Sequence, residues 1–307
     1  MSKLLTIFMN VYNGMPFLEG AVNSILNQKY KEFDFWIIND GSTDDSLEYL
    51  NSLNDKRLKI FTQKNIGLSN SLNMYIKNSN SEFIARLDQD DISLPKRIET
   101  QMNYMLTHPD YDVILSNINR IGKNGKNFGY YNFHEKDNIF EYNPIKHGSI
   151  AHSSILFKRE IFLRIGGYRQ FLYPADDLDL LIRFSENGKV KIINLPLVNY
   201  RIHEDSYTFK YFDEMKLKTE YAFELSNLRK TYNNEISLDE FIKRKKNNII
   251  KNIWSKFMNL GEFSFRKSGS YFGNNQYSCG IIYLFIALFL NPHNAIKRLY
   301  NLKKFKF

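Results

Sequence analysis

The sequence predicts an α/β fold, a mostly parallel sheet flanked by helices, with a helical extension at its C-terminal end. Three observations predict it. Short apolar runs of strand length alternate with segments whose apolar residues recur at helical spacing over residues 1–110. Three of these runs end in polar clusters, and in parallel sheets ligands sit at the carboxyl ends of the strands. Beyond Ser206 the pattern is helical and rich in lysine.

The elements follow in order. Leu4-Leu5-Thr6-Ile7-Phe8-Met9 reads as a first strand, broken by Asn10-Val11-Tyr12-Asn13-Gly14, and helical spacing runs from Phe17 through Ala21, Ile25 and Leu26. Phe33-Asp34-Phe35-Trp36-Ile37-Ile38 is the second strand, ending in Asn39-Asp40-Gly41-Ser42. Ser42-Thr43-Asp44-Asp45 then opens a helix with acids in its first turn, where they complement the helix dipole. Leu58-Lys59-Ile60-Phe61 is the third strand, followed by Gly67 and a helix holding Leu68, Leu72 and Ile76. The fourth strand runs through Phe83-Ile84-Ala85-Arg86-Leu87 into Asp88-Gln89-Asp90-Asp91, and Pro95 opens a helix through Ile98, Met102 and Met105. Right-handed crossovers would bring the three polar clusters to one rim.

After Val113 the order loosens. A strand over Val113 to Arg120, a Gly/Asn-rich turn and Tyr130-Tyr131-Asn132-Phe133 point to an antiparallel half. His147 to His152 leads into Ser154-Ile155-Leu156-Phe157, and a helix from Arg159 to Ile165 stops at Gly166-Gly167. Pro174-Ala175-Asp176-Asp177 precedes an amphipathic helix over Leu178 to Phe184. Lys191-Ile192-Ile193 and Val198-Asn199-Tyr200-Arg201 read as two final strands before Ile202-His203-Glu204. The expected organisation is one domain over residues 1–205, with halves at 1–110 and 111–205, and a basic helical region over 206–307.

The 307 residues are 43% hydrophobic and 15% aromatic, enough for a sizeable core. The single cysteine, Cys279, excludes an intramolecular disulfide and a cysteine-based zinc site, and fits a reducing compartment. Met1-Ser2-Lys3 runs straight into a strand-like segment without an export pattern, so the expected location is the cytoplasm. The formal charge is +9, with basic groups at Lys243-Arg244-Lys245-Lys246 and Lys303-Lys304-Phe305-Lys306. Such a tail suits nucleic acid, an anionic membrane surface, or a merely solvated face. The apolar run Gly280 to Leu290 falls short of the roughly 20 residues a spanning helix needs. With Lys297-Arg298 beside it, it can lie in a membrane interface at the inner face of the cell membrane, pack against the catalytic domain, or pair two subunits as a homo-oligomer.

Three carboxylates within four positions repel one another and are costly to desolvate. A hard divalent cation is one reason to gather them, and Mg²⁺ or Mn²⁺ takes one or two carboxylates plus water and phosphate oxygens. Asp88-x-Asp90 therefore reads as half of a metal–diphosphate site, the alternative being an acidic turn in which Asp91 caps the next helix.

Val11-Tyr12-Asn13-Gly14, Ile38-Asn39-Asp40-Gly41-Ser42-Thr43-Asp44, Asn65-Ile66-Gly67-Leu68-Ser69-Asn70-Ser71-Leu72-Asn73 and Ile84-Ala85-Arg86-Leu87-Asp88-Gln89-Asp90-Asp91 occur in this order. Together they resemble the nucleotide-sugar half of family-2 inverting glycosyltransferases of the GT-A fold, whose sheet is Rossmann-like. Ala175-Asp176-Asp177-Leu178-Asp179-Leu180 and Tyr200-Arg201-Ile202-His203 resemble that family's second half. The resemblance covers roughly residues 3 to 205, and is greatest to bacterial enzymes that extend lipooligosaccharide or capsular glycans.

The resemblance implies a role for each position. Asn10, Tyr12, Asp40 and Asp88 would hold the nucleotide, although Asn10 departs from the commoner Pro or Thr. Asp90 would ligate Mn²⁺ or Mg²⁺, with Asp88 reaching the ribose or the metal through water and His203 as a further ligand. Asp91 and Arg86 are assigned to the donor sugar; alternatively, Asp91 caps the helix near Pro95 and Arg86 balances the acids' charge. Asp177 is the expected general base, and Asp176 and His152 would border the acceptor. The alternative for the Asp pair is that both simply cap their helix. The implied partners are a nucleotide-sugar donor, UDP-GlcNAc or UDP-galactose, and a glycan or glycolipid acceptor.

Two other readings compete. A sugar-1-phosphate nucleotidyltransferase would bring an N-terminal Gly-rich loop with basic residues, whereas residues 4–14 contain one glycine, Gly14, and no Lys or Arg. A nucleic-acid-binding protein would use the basic tail, but Tyr130, Tyr131 and the Lys clusters form no recognisable binding module, so no nucleic acid is expected.

Overall fold

A computed structural model describes residues 3–303 other than 132, 134, 205, 247 and 248; the basic end at 304–307 lies outside the described residues. The chain divides into two compact units. The first runs up to Arg120 and resumes over Tyr130–Arg201; the second comprises Ile121–Gly129 and the chain from Ile202 onward.

The strands of the sheet are β1 (Leu5–Val11), β2 (Phe33–Asp40), β3 (Leu58–Gln63), β4 (Phe83–Arg86), β5 (Ile92–Ser93), β6 (Val113–Ile121), β7 (Asn127–Tyr130), β8 (Ile139–Glu141), β9 (Leu156–Lys158) and β10 (Val190–Arg201). They are ordered β3-β2-β1-β4-β9-β6-β10-β5, with β8 on β10. The pairs β1–β2, β2–β3 and β1–β4 are parallel, each reached through a helix as expected. Antiparallel pairing begins where β9 joins β4 and β6.

Three expectations are corrected. The two final strands are one, β10, which pairs with β8 at Lys191 to Ile193 and with β5 at Val198 and Asn199. The expected helix over 178–184 is Asp176–Asn187, so the two acids sit inside its first turn instead of preceding it. The helix expected to open at Pro95 begins at Arg97.

Period-two alternation splits the core between the two faces of the sheet. Leu5, Ile7, Met9 and Val11 of β1, with Phe33, Phe35 and Ile37 of β2, pack with the helices Leu18–Leu26 and Arg97–Thr107. Phe8, Ile38 and Ile84 face the other way, towards the helices Leu68–Asn78, Arg159–Arg164 and Asp176–Asn187.

In the second unit the helix Phe212–Tyr232 ends at Asn233, whose φ of 49° is a left-handed cap. Helices Ile249–Gly273, Tyr277–Leu290 and Pro292–Lys303 follow. Glu262 holds them electrostatically, accepting from Lys216 at 2.9 Å, Arg266 at 3.0 Å and Arg298 at 3.1 Å. Among the described residues no helix is long and apolar enough to cross a membrane.

Candidate active site

Strand parity decides which side chains meet. Asn10 and Asp40 follow Phe8 and Ile38 at even spacing within β1 and β2, so both look towards the layer that holds the helices Leu68–Asn78 and Asp176–Asn187, while Asp88 lies two residues past the end of β4.

Asp40, at the end of β2, is 1% exposed. Its Oδ1 accepts from Gln63 Nε2 at 2.7 Å and from the Ile66 N–H at 3.0 Å, and its Oδ2 accepts from the Gly67 N–H at 3.0 Å. The carboxylate thereby fixes the turn into the helix Leu68–Asn78, where Gly67 takes a φ of +85° that only glycine adopts without strain. One turn on, Ser69 donates to Asp176. Asp40 and Asp176 are thus both tied to the start of this helix, the first through the Ile66 and Gly67 N–H groups and the second through Ser69.

Asp176, Asp177 and Asp179 occupy the first turn of their helix, at its positive end. Asp179 is spent on Arg183, with 2.7 Å between Oδ2 and Nη2. Asp176 is buried, and burial raises its pKa. Asp177 is part-exposed and accepts from Ser149 Oγ at 3.3 Å. Burial first, and then repulsion from Asp176, push its carboxyl up to about 7.

Arg86 stands between these groups. It is 3% exposed and pairs with Asp88, and it also feels the charges of Tyr168, Asp176 and Asp177. Burial alone would lower its pKa; the surrounding acids raise it, so it stays a cation. One buried guanidinium thus pairs with Asp88 and is coupled electrostatically to two more of the predicted site carboxylates, Asp176 and Asp177. Asp88 is further fixed by Ser153, whose Oγ accepts from the Asp88 N–H and donates to its Oδ2, both at 3.0 Å.

Asp91 does something the sequence did not show. It is 1% exposed and accepts from the Arg201 N–H at 2.8 Å, anchoring the end of β10; burial, then Asp90 and Asp88, hold its pKa well above the usual range. It does not cap the following helix, which begins six residues later. Arg201 donates from Nε to the Asp90 carbonyl at 2.8 Å and lies over the Phe17 ring.

The middle residue of the D-x-D run has its own task. Gln89 Oε1 accepts from the Tyr12 N–H at 2.9 Å, and Gln89 Nε2 donates to the Tyr12 carbonyl at 3.1 Å. Tyr12 itself is 38% exposed at the rim, while Asn10 Oδ1 is buried with no hydrogen-bond partner, an acceptor that a ligand donor could satisfy.

His152 is buried, with Nε2 at 2.5 Å from the Tyr168 hydroxyl; burial pushes its pKa well below the usual range, so the ring is neutral. His203 belongs to the second unit, where it lines a cleft of about 370 Å³ with Lys123, Asn124, Glu204, Asn274 and Gln276. Among the described residues no three His, Cys, Asp or Glu side chains converge as a metal cage. An ion completed by water and phosphate needs no such cage, and the all-oxygen donors Asp88 and part-exposed Asp90 suit Mg²⁺ or Mn²⁺.

The residue most completely missed by sequence reasoning is Arg97, the largest fully buried side chain. It donates to the carbonyls of Arg86 at 2.7 Å and Ile155 at 3.1 Å, and burial pulls its pKa down to about 9. The only hint was Arg97 and Gln101 at i and i+4, flanking the apolar positions Ile98 and Met102.

Comparison with known proteins adds four findings. Residues 6–166 match the family model for Glycosyl transferase family 2. The chain is 32% identical over 211 residues to the O-antigen biosynthesis glycosyltransferase WbnJ of Escherichia coli, covering 66% of this chain and 81% of that one. It is 27% identical over 241 residues to the chondroitin synthase of Pasteurella multocida, covering 78% of this chain and 24% of that one. Among solved structures its fold is similar to that of S. aureus TarS 1-349 in complex with UDP-GlcNAc, with a TM-score of 0.60 at 14% identity, over 94% of this chain and 91% of that one.

Proposed function

The chain belongs to glycosyl transferase family 2, and from that premise we propose that it moves a hexose or N-acetylhexosamine from a UDP-sugar to a hydroxyl of a growing bacterial surface glycan, with inversion, in the cytoplasm. The observation that carries the reading is the electrostatic coupling of Asp88 and Asp177 to Arg86. It provides a carboxylate fixed at the D-x-D strand end and a separate acid whose pKa suits proton transfer near neutrality. Asp177 takes the acceptor hydroxyl's proton onto a carboxylate oxygen as that hydroxyl attacks the anomeric carbon opposite the leaving UDP. Arg86 holds Asp88 in place and tempers the charge of the carboxylates around it. Mn²⁺ or Mg²⁺, held by Asp90 with Asp88 behind it, would offset the charge developing on the departing diphosphate.

The UDP donor is supported by the fold likeness to a protein solved with UDP-GlcNAc, and UDP-GlcNAc and UDP-galactose lead. The surface-glycan acceptor is supported by the likeness to an O-antigen glycosyltransferase and to a chondroitin synthase. Family membership favours neither a nucleotidyltransferase nor a nucleic-acid-binding protein.

The test is a donor-hydrolysis and binding screen over UDP-, GDP- and dTDP-sugars with Mn²⁺, Mg²⁺ or EDTA. UDP-sugars are expected to bind and hydrolyse only with metal, and Asp90→Ala to abolish metal-dependent nucleotide binding. Asp177→Ala should keep nucleotide affinity and lose transfer; normal transfer by that variant would remove the base assignment.

A further inference from the structure

The helix Tyr277–Leu290 is built inside out for a protein surrounded only by water. Its two buried residues are the small ones, Gly280 and Ala287, seven positions apart on one side. A Cβ at Gly280 would come within 2.7 Å of the Phe272 ring, so glycine lets this helix close against Ile249–Gly273. The large apolar side chains point the other way: Ile281, Ile282, Phe285, Ile286 and Phe289 are all exposed, Phe289 by 87%. Soluble amphipathic helices bury such a stripe.

The neighbouring helices extend this surface. Phe257, Met258 and Leu260 are exposed on Ile249–Gly273, and the Asn291 side chain donates to the Met258 carbonyl at 3.2 Å, which seats them beside the end that carries Phe289. Ile296 is exposed on the helix that follows.

Charge singles out the occupant. From residue 249 to 303 there are seven Lys and Arg residues and one acid, Glu262, which is buried and bonded to three cations. The segment that carries this apolar face thus has net positive charge and no exposed acid of its own, the exposed Glu204 beside Tyr271 belonging to the loop after β10, and it is complementary to anionic lipid. A second copy of the same face would add like charge to like. We propose that this face docks the protein on an anionic membrane surface, with the helix lying in the interface plane. Its 14 residues are too few to span a bilayer, for which about 20 are needed. Tyr283, with the Lys267 ammonium over its ring at 5.1 Å and stacked on Tyr271 at 5.4 Å, supplies the aromatic-plus-cation pairing suited to the headgroup level.

Cys279, the chain's single cysteine and exposed on this helix, offers the probe. The full chain, labelled there with a polarity-sensitive dye, is mixed with vesicles of phosphatidylcholine alone or with 30% phosphatidylglycerol. Expected are a blue shift and co-flotation with the anionic vesicles only, weakened by high salt. Phe285→Ser with Phe289→Ser should cut vesicle affinity by at least about tenfold, at unchanged circular dichroism and donor hydrolysis. Equal flotation with both vesicles, or none at low salt, would overturn the proposal. So would size-exclusion showing a dimer that the double variant dissociates, which would make the occupant a second copy of this chain.

Discussion

Replacing Asp177 by asparagine should make the protein more stable while stopping the transfer. The carboxyl is held at about 7, against the 3.8 of an unperturbed aspartate. At 1.36 kcal/mol for each pH unit, that displacement has a ceiling of about 4 kcal/mol. Asp177 is part-exposed, so screening by solvent reduces the expected figure to about 1–3 kcal/mol. Because the folded pKa lies above the unfolded one, the folded chain keeps the proton between pH 4 and 7 while the unfolded chain has released it. The stability owed to this group is therefore full below about pH 4, declines as pH rises to 7, and is flat beyond. Asparagine is neutral throughout, so Asp177→Asn should match wild type near pH 4 and exceed it by the full amount at pH 8, as read by urea denaturation in EDTA. Transfer should fall by about 10²-fold or more, and the wild-type pH–rate profile should rise through one ionisation near 7. A variant no more stable than wild type at pH 8, or a wild-type rate that ignores pH between 5 and 8, would refute the reasoning.

Two further outcomes test the scaffold. Arg97→Met strands the Arg86 carbonyl in the interior, while the Ile155 carbonyl keeps the Arg86 N–H at 3.3 Å, and should cost about 1–3 kcal/mol; a thermal midpoint within 2 °C of wild type would show the Arg97 bonds to be dispensable. Glu262→Gln acts on the second unit. Burial alone would raise the Glu262 pKa, but Arg266, Lys216 and Arg298 hold it down at about 2, below the model-compound 4.5. Its contribution, about 1–3 kcal/mol, is present above pH 4.5 and lost as pH falls towards 2, so the variant should be less stable at pH 7 and indistinguishable near pH 2; a constant difference across that range would rule this out.

The first half of the chain was legible because β1, β2 and β4 each announce themselves twice, by an apolar run and by the polar cluster that ends it. Parity within β1 and β2 even fixes the face on which Asn10 and Asp40 look out. The second half was harder. β10 was read as two strands because Asn194, Leu195 and Pro196 interrupt its apolar pattern, yet the strand runs on with Leu195 facing solvent. Two-residue β5 is too short to leave a periodic trace. Asp91, Arg97 and Gln101 escaped for one reason: charged and amide side chains are read as solvated, and their partners here are backbone groups from distant segments. The carboxylates' coupling to Arg86 is likewise a product of the fold, since Asp88 and Asp177 are 89 positions apart in the chain.

The pair of hydrogen bonds between Gln89 and the backbone of Tyr12 ties the loops that leave the carboxyl ends of the neighbouring parallel strands β1 and β4 into a single edge. Loop freedom that would otherwise have to be frozen when a donor arrives is already removed at folding. It also explains why an amide suits the position between the two aspartates: a glutamate there could still accept from the Tyr12 N–H, but would face the Tyr12 carbonyl with an acceptor instead of a donor. The middle letter of the D-x-D run is, in this chain, the latch that keeps the rim's geometry ready.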